Sequence, residues 1–139
     1  MLRLFQLRFL PTSVDLALLA LRLWFGLSLV SLHGWGKLMT YGERAQKFAD
    51  PFGLGSPVSL ALAIFGEVVC ATLLALGLCT RFAAFACVIN MATAFYFAHG
   101  GRLTGQGNGE LAFMYLGGFV ALLLAGGGRY SLDAKMGGR

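Results

Sequence analysis

Four nearly unbroken apolar stretches, at about 14–33, 58–78, 82–98 and 111–125, alternate with polar segments along the chain. A hydrocarbon layer ~30 Å thick is crossed by about 20 helical residues, each rising 1.5 Å. The first two stretches reach that length. The last two, at about 15 to 17 residues, call for an extra turn in their flanks or a locally thinned bilayer. The pattern predicts an all-α membrane protein. Residues 1–139 form a single domain, a four-transmembrane-helix antiparallel bundle.

The polar segments differ in kind. Leu78-Cys79-Thr80-Arg81 reads as a tight turn between antiparallel helices. The segment from Gly34 to Pro57 is long, and within it Ala45, Phe48, Ala49 and Phe52 recur at helical spacing, opposite Glu43, Lys47 and Asp50. That spacing predicts a short interfacial helix lying across the bundle like a lid, kept brief by Asp50-Pro51. Residues 100–109 are glycine-rich and predict a flexible loop. At the N-terminus no small-x-small cleavage site follows the apolar stretch, so a cleaved signal peptide is not expected. Pro11 breaks the chain there, and Thr12 or Ser13 can cap the first span. Arg3 and Arg8, interleaved with Leu4, Phe5, Phe9 and Leu10, predict a segment lying on the membrane surface.

Composition moves the reading in the same direction. The chain is 58% hydrophobic and 12% charged, about half the charged share of a soluble domain. The mean hydropathy is +0.74. A net charge of +5 invites a nucleic-acid partner, but the basic residues are scattered among the gaps and gathered on no face, so no nucleic acid is expected. They are better suited to setting topology and touching anionic lipid. With four spans, Arg3, Arg8, Arg81, Arg129, Lys135 and Arg139 share one side, and Lys37, Arg44, Lys47 and Arg102 the other. This balance favours both termini on the cytoplasmic side of a bacterial inner membrane. Cys70, Cys79 and Cys87 fit neither a redox nor a zinc spacing, and packing is the expected role of the two inside apolar runs.

Depth supplies the candidate chemistry. Arg22 and Glu67 fall near the midpoints of consecutive spans, where an ionisable group costs roughly 3 kcal/mol and is not left facing lipid. Matched depth predicts that they pair, with Asn90 at the same level. Such a pair either binds a ligand or simply fixes which helices pack. At one membrane face, antiparallel alternation gathers His33, Lys37, His99 and Glu110. His33 follows Arg22 by three helical turns, so a polar stripe Arg22–Gly26–His33 runs outward and implies a cavity open to that face. The expected ligand-binding residues are Arg22, Glu67, Asn90, His33 and Lys37, and the proton-exchange candidates are His33, His99 and Glu110. No metal site is expected, because no tight ligand spacing is present.

The run RLWFGLSLVSLHGWGKL resembles the opening helix of the DoxX family, with Arg22, Gly26, His33, Gly34 and Lys37 in place. FGEVVCATLLALGLCTRFAA resembles that family's second helix and its L-G-L-x-T-R turn, through Glu67, Gly77, Thr80 and Arg81. His99 and Glu110 stand where the family carries a histidine after the third helix and a glutamate opening the fourth. GGGRYSLDA resembles the closing G-P-G-R-x-S-L-D, with Gly127 replacing the proline. The resemblance covers roughly residues 14–134. It implies a small four-helix membrane protein; some relatives are subunits of quinone-linked oxidoreductases acting on sulfur compounds, and others look like membrane anchors.

Two main functions follow as expectations. In one, the chain is a redox-linked subunit that binds quinone or another lipophilic molecule in its polar interior. It lacks a haem, flavin or iron–sulfur motif, so electrons come from a partner or a soluble reductant. In the other, it is a non-catalytic accessory or scaffold subunit of a larger membrane complex, meeting membrane or redox proteins, or a second copy of itself, through small residues such as Gly66, Cys70, Ala71 and Ala75. A small-solute carrier ranks third.

Overall fold

A computed structural model of the chain describes residue 5 and residues 13–137. The surface segment expected around Arg3 and Arg8 lies outside the described residues, as does Arg139. Among the described residues all regular structure is helical. Three helices are long and apolar enough to span a membrane: α1 (Val14–Met39), α3 (Ser56–Leu76) and α4 (Thr80–Ala98). A shorter apolar helix, α5 (Glu110–Ala125), packs extensively on α4, while α1 packs mainly on α3. Single turns make up α2 (Tyr41–Arg44) and α6 (Leu132–Lys135).

The ends of these helices follow from local chemistry. Ser13 accepts the Leu16 N–H through its hydroxyl at 3.2 Å, and Asp15 lies in the positive first turn of α1. The helix runs well past residue 33, because Val30–Gly34 forms a π-helical turn and α-helix resumes at Trp35. At the end of α3, Gly77 sits at φ 72, a conformation without penalty for glycine. Leu78 N–H reaches the Leu73 carbonyl at 2.9 Å and Gly77 N–H the Leu74 carbonyl at 3.0 Å, which closes the helix with a Schellman cap.

The lid between α2 and α3 is not the helix that apolar spacing predicts. Residues 45–55 form successive turns and bends. Asp50 overrides the spacing: its carboxylate accepts the Leu54 and Gly55 N–H groups at 3.0 and 2.7 Å, and the Ser59 hydroxyl at 2.7 Å. Such side-chain bonds compete with helix for the backbone donors. Spacing foretold burial for half of the expected face: Ala45 is buried and Phe48 packs with Leu60 and Ile64, whereas Ala49 and Phe52 are exposed.

The core joins Leu18 and Leu29 of α1, Cys70, Ala71 and Leu74 of α3, Ala83, Ala84, Cys87 and Met91 of α4, and Tyr115, Phe119 and Leu122 of α5. Cys70 and Cys87 are buried free thiols, whereas Cys79 is exposed in the α3–α4 turn. Gly26 brings α1 onto α3, where an added Cβ would lie 2.7 Å from the Ala71 carbonyl oxygen and 3.0 Å from the Ala75 Cβ. Gly36, on the same helix, has nothing within 4 Å. Alanine gains about 0.5–1 kcal/mol over glycine inside a helix, while forced overpacking costs about 1–3 kcal/mol. Gly26→Ala is therefore expected to lower the melting temperature, and Gly36→Ala to leave it equal or slightly raised, in detergent melts of the two variants.

At the face where α1 begins, the closing segment locks the bundle. The Asp133 carboxylate accepts the Cys79 N–H at 2.7 Å, the Thr80 N–H at 2.8 Å and the Thr80 hydroxyl at 2.7 Å. It thus caps α4, while its own N–H bonds the Gly77 carbonyl at 2.9 Å. Asp15 accepts the Arg129 N–H at 2.8 Å. Desolvation pushes the Asp133 carboxyl up, but the Thr80 and Cys79 bonds and the nearby Arg22 charge outweigh it and hold it below the ordinary carboxylate value. A depressed native value means the stabilisation is complete above the unfolded-state value and is lost as pH falls through the native one. The melting temperature is expected to fall with acid below about pH 4, and Asp133→Asn is expected to start lower and show a flatter acid limb.

Candidate functional site

A cavity of about 460 Å³ opens between α3 and α4 beneath the 45–55 loop. Its walls are mostly apolar, with Phe48 and Phe52 from the loop, Phe65 from α3 and Ile89 and Phe97 from α4. Phe52 meets Phe97 edge-on, with ring centroids 5.4 Å apart, and so ties the loop to α4. The polar groups that reach the cavity are Lys37, Ser59, Glu67, Asn90, Thr93 and His99. An apolar groove of this size, its wall residues Phe52, Phe65, Ile89 and Phe97 exposed along its open side, with a few convergent polar groups has the build of a small-molecule site.

Its charged element is an ion pair. Lys37 Nζ lies 2.7 Å from Glu67 Oε1 and 2.5 Å from Oε2, with side-chain exposures of 22% and 6%. Gly34 makes the pair possible: an added Cβ there would stand 2.8 Å from the Glu67 carbonyl oxygen, so α1 and α3 touch backbone to backbone. Asn90 lies across Gly66 and donates to the Ala63 carbonyl at 3.3 Å, leaving its own oxygen without a donor among the described bonds.

The Arg22–Glu67 pair expected from matched depth does not form. Gly26 faces Ala71 and Ala75, and Gly34 faces Glu67 and Val68. Glu67 is thus level with Gly34, twelve residues and about 18 Å along α1 from Arg22. The expectation failed because α1 continues to Met39, which places Arg22 well short of its midpoint. Arg22 is fully buried and turns the other way, donating from Nη1 to the Ala75 carbonyl at 3.3 Å and from Nη2 to the Tyr130 carbonyl at 2.9 Å. The Ala75 oxygen belongs to the last turn of α3, which has no intrahelical donor. Arg22 therefore ties α1, α3 and the closing segment together and lies outside the cavity.

The predicted outer cluster divides similarly. Lys37 and His99 line the cavity, whereas His33 and Glu110 do not. His33 lies edge-on to Tyr115 of α5 at 5.7 Å, and the Tyr115 hydroxyl donates to Ser28 Oγ at 2.8 Å. His99 Nδ1 is 2.9 Å from the Gly107 carbonyl and anchors the glycine-rich loop. Glu110 is exposed, its N–H on the Asn108 side chain. Among the described residues no group of three or more His, Cys, Asp or Glu could hold a metal.

Two features of the site have weak sequence signals. Ser59 carries little signal, because a lone serine in an apolar run reads as packing, although its partner Asp50 stands nine residues earlier. The π-helical turns at Val30–Gly34, Phe65–Cys70 and Ala94–Ala98 carry His33 and Glu67 and immediately precede His99. Each inserts a residue into the helical register and re-aims the side chains around it, which a period of 3.6 residues cannot foresee.

Comparison with known proteins agrees with this architecture. The DoxX family profile matches residues 17–100, a stretch that contains most of α1, all of α3 and α4, and the polar residues of the cavity. An uncharacterized protein of Haemophilus influenzae is 38% identical over 118 residues, spanning 75% of this chain and 79% of its own length. No solved structure matches the chain. Apolar spanning helices, the interior polar groups and the profile match together identify a helical membrane protein, and the chain belongs to the DoxX family.

Proposed function

We propose that the chain crosses a bacterial inner membrane four times, termini on the cytoplasmic side, and binds quinone or a similar ring-bearing lipophile between α3 and α4 as a redox-linked subunit. The observation that carries this reading is the composition of the cavity. Aromatic rings line walls that end on a charged pair and an amide. Quinone chemistry fits those residues. The ring suits Phe48, Phe52 and Phe97, while Lys37 and Asn90 offer N–H donors for its two oxygens. Quinone, when bound, supplies two-electron, two-proton redox chemistry. The chain's own part is to orient the ring, exclude water beneath the 45–55 loop, and exchange protons at Glu67 and His99 towards the loop face. Electrons arrive from a partner protein or a soluble reductant. Arg22 has no part in binding here.

Protein purified in mild detergent is expected to release quinone on solvent extraction in near-equal amount to itself. Asn90→Leu, similar in size but without the donor, is expected to retain at least fivefold less, since one lost hydrogen bond is worth about 1 kcal/mol. Wild-type protein that carries no quinone, and takes none up from quinone-loaded nanodiscs, would overturn the reading. A stably co-purifying partner in quinone-free preparations would favour the accessory-subunit role instead.

A further inference from the structure

We propose that a second site, on the face where α1 begins, holds the phosphate of an anionic phospholipid. A cleft of about 920 Å³ lies there between the start of α4, the end of α5 and the closing segment. Helices α1 and α4 begin and α3 and α5 end at this face, so the cleft sits at headgroup depth. Arg81 and Arg129 line it, with Phe82 and Met136 beside them as apolar surface for the glycerol and upper acyl chain.

The charges are arranged so that the two arginines remain available. Asp133 also lines the cleft, but both its oxygens are engaged by Cys79 and Thr80, and its charge is opposed by buried Arg22. Asp15 accepts the Arg129 backbone N–H through Oδ1 and does not line the cleft. Among the described residues neither arginine has a carboxylate within ion-pair distance. Arg81 Nη2 donates to the Leu124 carbonyl at 3.0 Å. That bond covers the negative end of α5, which would otherwise repel an anion, and fixes a guanidinium whose other N–H groups have no partner among the described residues. Two guanidiniums at headgroup depth beside apolar side chains suit a phosphate that arrives with its own acyl chains. Phosphate dissolved in water has no use for the apolar half of the cleft.

The test is lipid retention by the full-length chain in mixed micelles of phosphatidylglycerol and phosphatidylcholine, counted by native mass spectrometry. Preference for phosphatidylglycerol is expected to fall roughly fivefold for each arginine removed, in Arg129→Gln and again in the Arg81→Gln/Arg129→Gln double variant. Arg102→Gln, at the opposite face, is expected to keep the wild-type preference. If the double variant melts early because the Leu124 bond is lost, Arg129→Gln alone decides, since that side chain is exposed and makes no bond among the described residues. An unchanged preference in Arg129→Gln overturns the proposal. So does inorganic phosphate that displaces phosphatidylglycerol at equal concentration, because the site would then recognise a soluble anion.

Discussion

Arg22→Ala is expected to unfold the bundle at markedly lower temperature, with a cost on the order of 3–5 kcal/mol from lost hydrogen bonds and the cavity left behind. The wild-type guanidinium is fully buried and bonds two carbonyls from different parts of the chain, Ala75 and Tyr130. A hydrogen bond from a charged donor is worth about 1.5–3 kcal/mol, so two bonds alone account for most of the figure. Alanine would also leave both carbonyls without donors and open a void against Gly77, whose added Cβ would stand only 2.1 Å from Arg22 Nη1. Arg22→Lys is expected to recover less than half of the loss, because one ammonium cannot span both acceptors as the planar fork does. Below its melting temperature, Arg22→Ala is expected to retain quinone as wild type does. Early melting with full quinone retention would place Arg22 in the framework. Wild-type melting with quinone lost would return it to the binding site and contradict the separation described above.

That separation shows where the sequence was informative. Hydropathy located the apolar helices, and the cost of a buried charge singled out Arg22 and Glu67 as interior residues; both are buried. Composition could not supply their partners. The acceptors of Arg22 are backbone carbonyls, which carry no residue signature, and one of them lies 108 positions away. An apolar stretch that ends near residue 33 puts Lys37 at the membrane face. A π-helical turn carries the helix onward and brings Lys37 over Glu67. The closing S-L-D and the L-G-L-x-T-R turn were both visible as motifs. Their contact, with Asp133 capping Thr80, is long-range and became legible only in three dimensions. The lid failed for the opposite reason: apolar spacing reported the inward side for Ala45 and Phe48 but not for Ala49 and Phe52, which are exposed, and a single carboxylate, Asp50, decided the backbone.

Lys37→Met is expected to damage the protein more than Glu67→Gln, although the two residues form one ion pair. Removing the cation leaves a carboxylate whose side chain is 6% exposed, and an uncompensated buried charge costs about 3–5 kcal/mol. Removing the carboxylate leaves a lysine that is 22% exposed, close to the end of α1 and long enough to carry its ammonium to the loop face. Its cost is expected to be about 1–2 kcal/mol, discounted for that access to water. The double variant Lys37→Met/Glu67→Gln is expected to recover most of the stability lost in Lys37→Met, because no charge is then left buried, and a double-mutant cycle of melting curves measures the coupling. Quinone retention separates structure from function in the same four proteins. An ion pair that only fixes helix packing would let the double variant regain stability and quinone together. An ion pair that holds the ligand would let stability return while quinone stays lost, because methionine supplies no donor for the ring oxygen and glutamine cannot stand in for the missing ammonium. The second outcome is expected, since Lys37 and Glu67 both reach the cavity as well as each other.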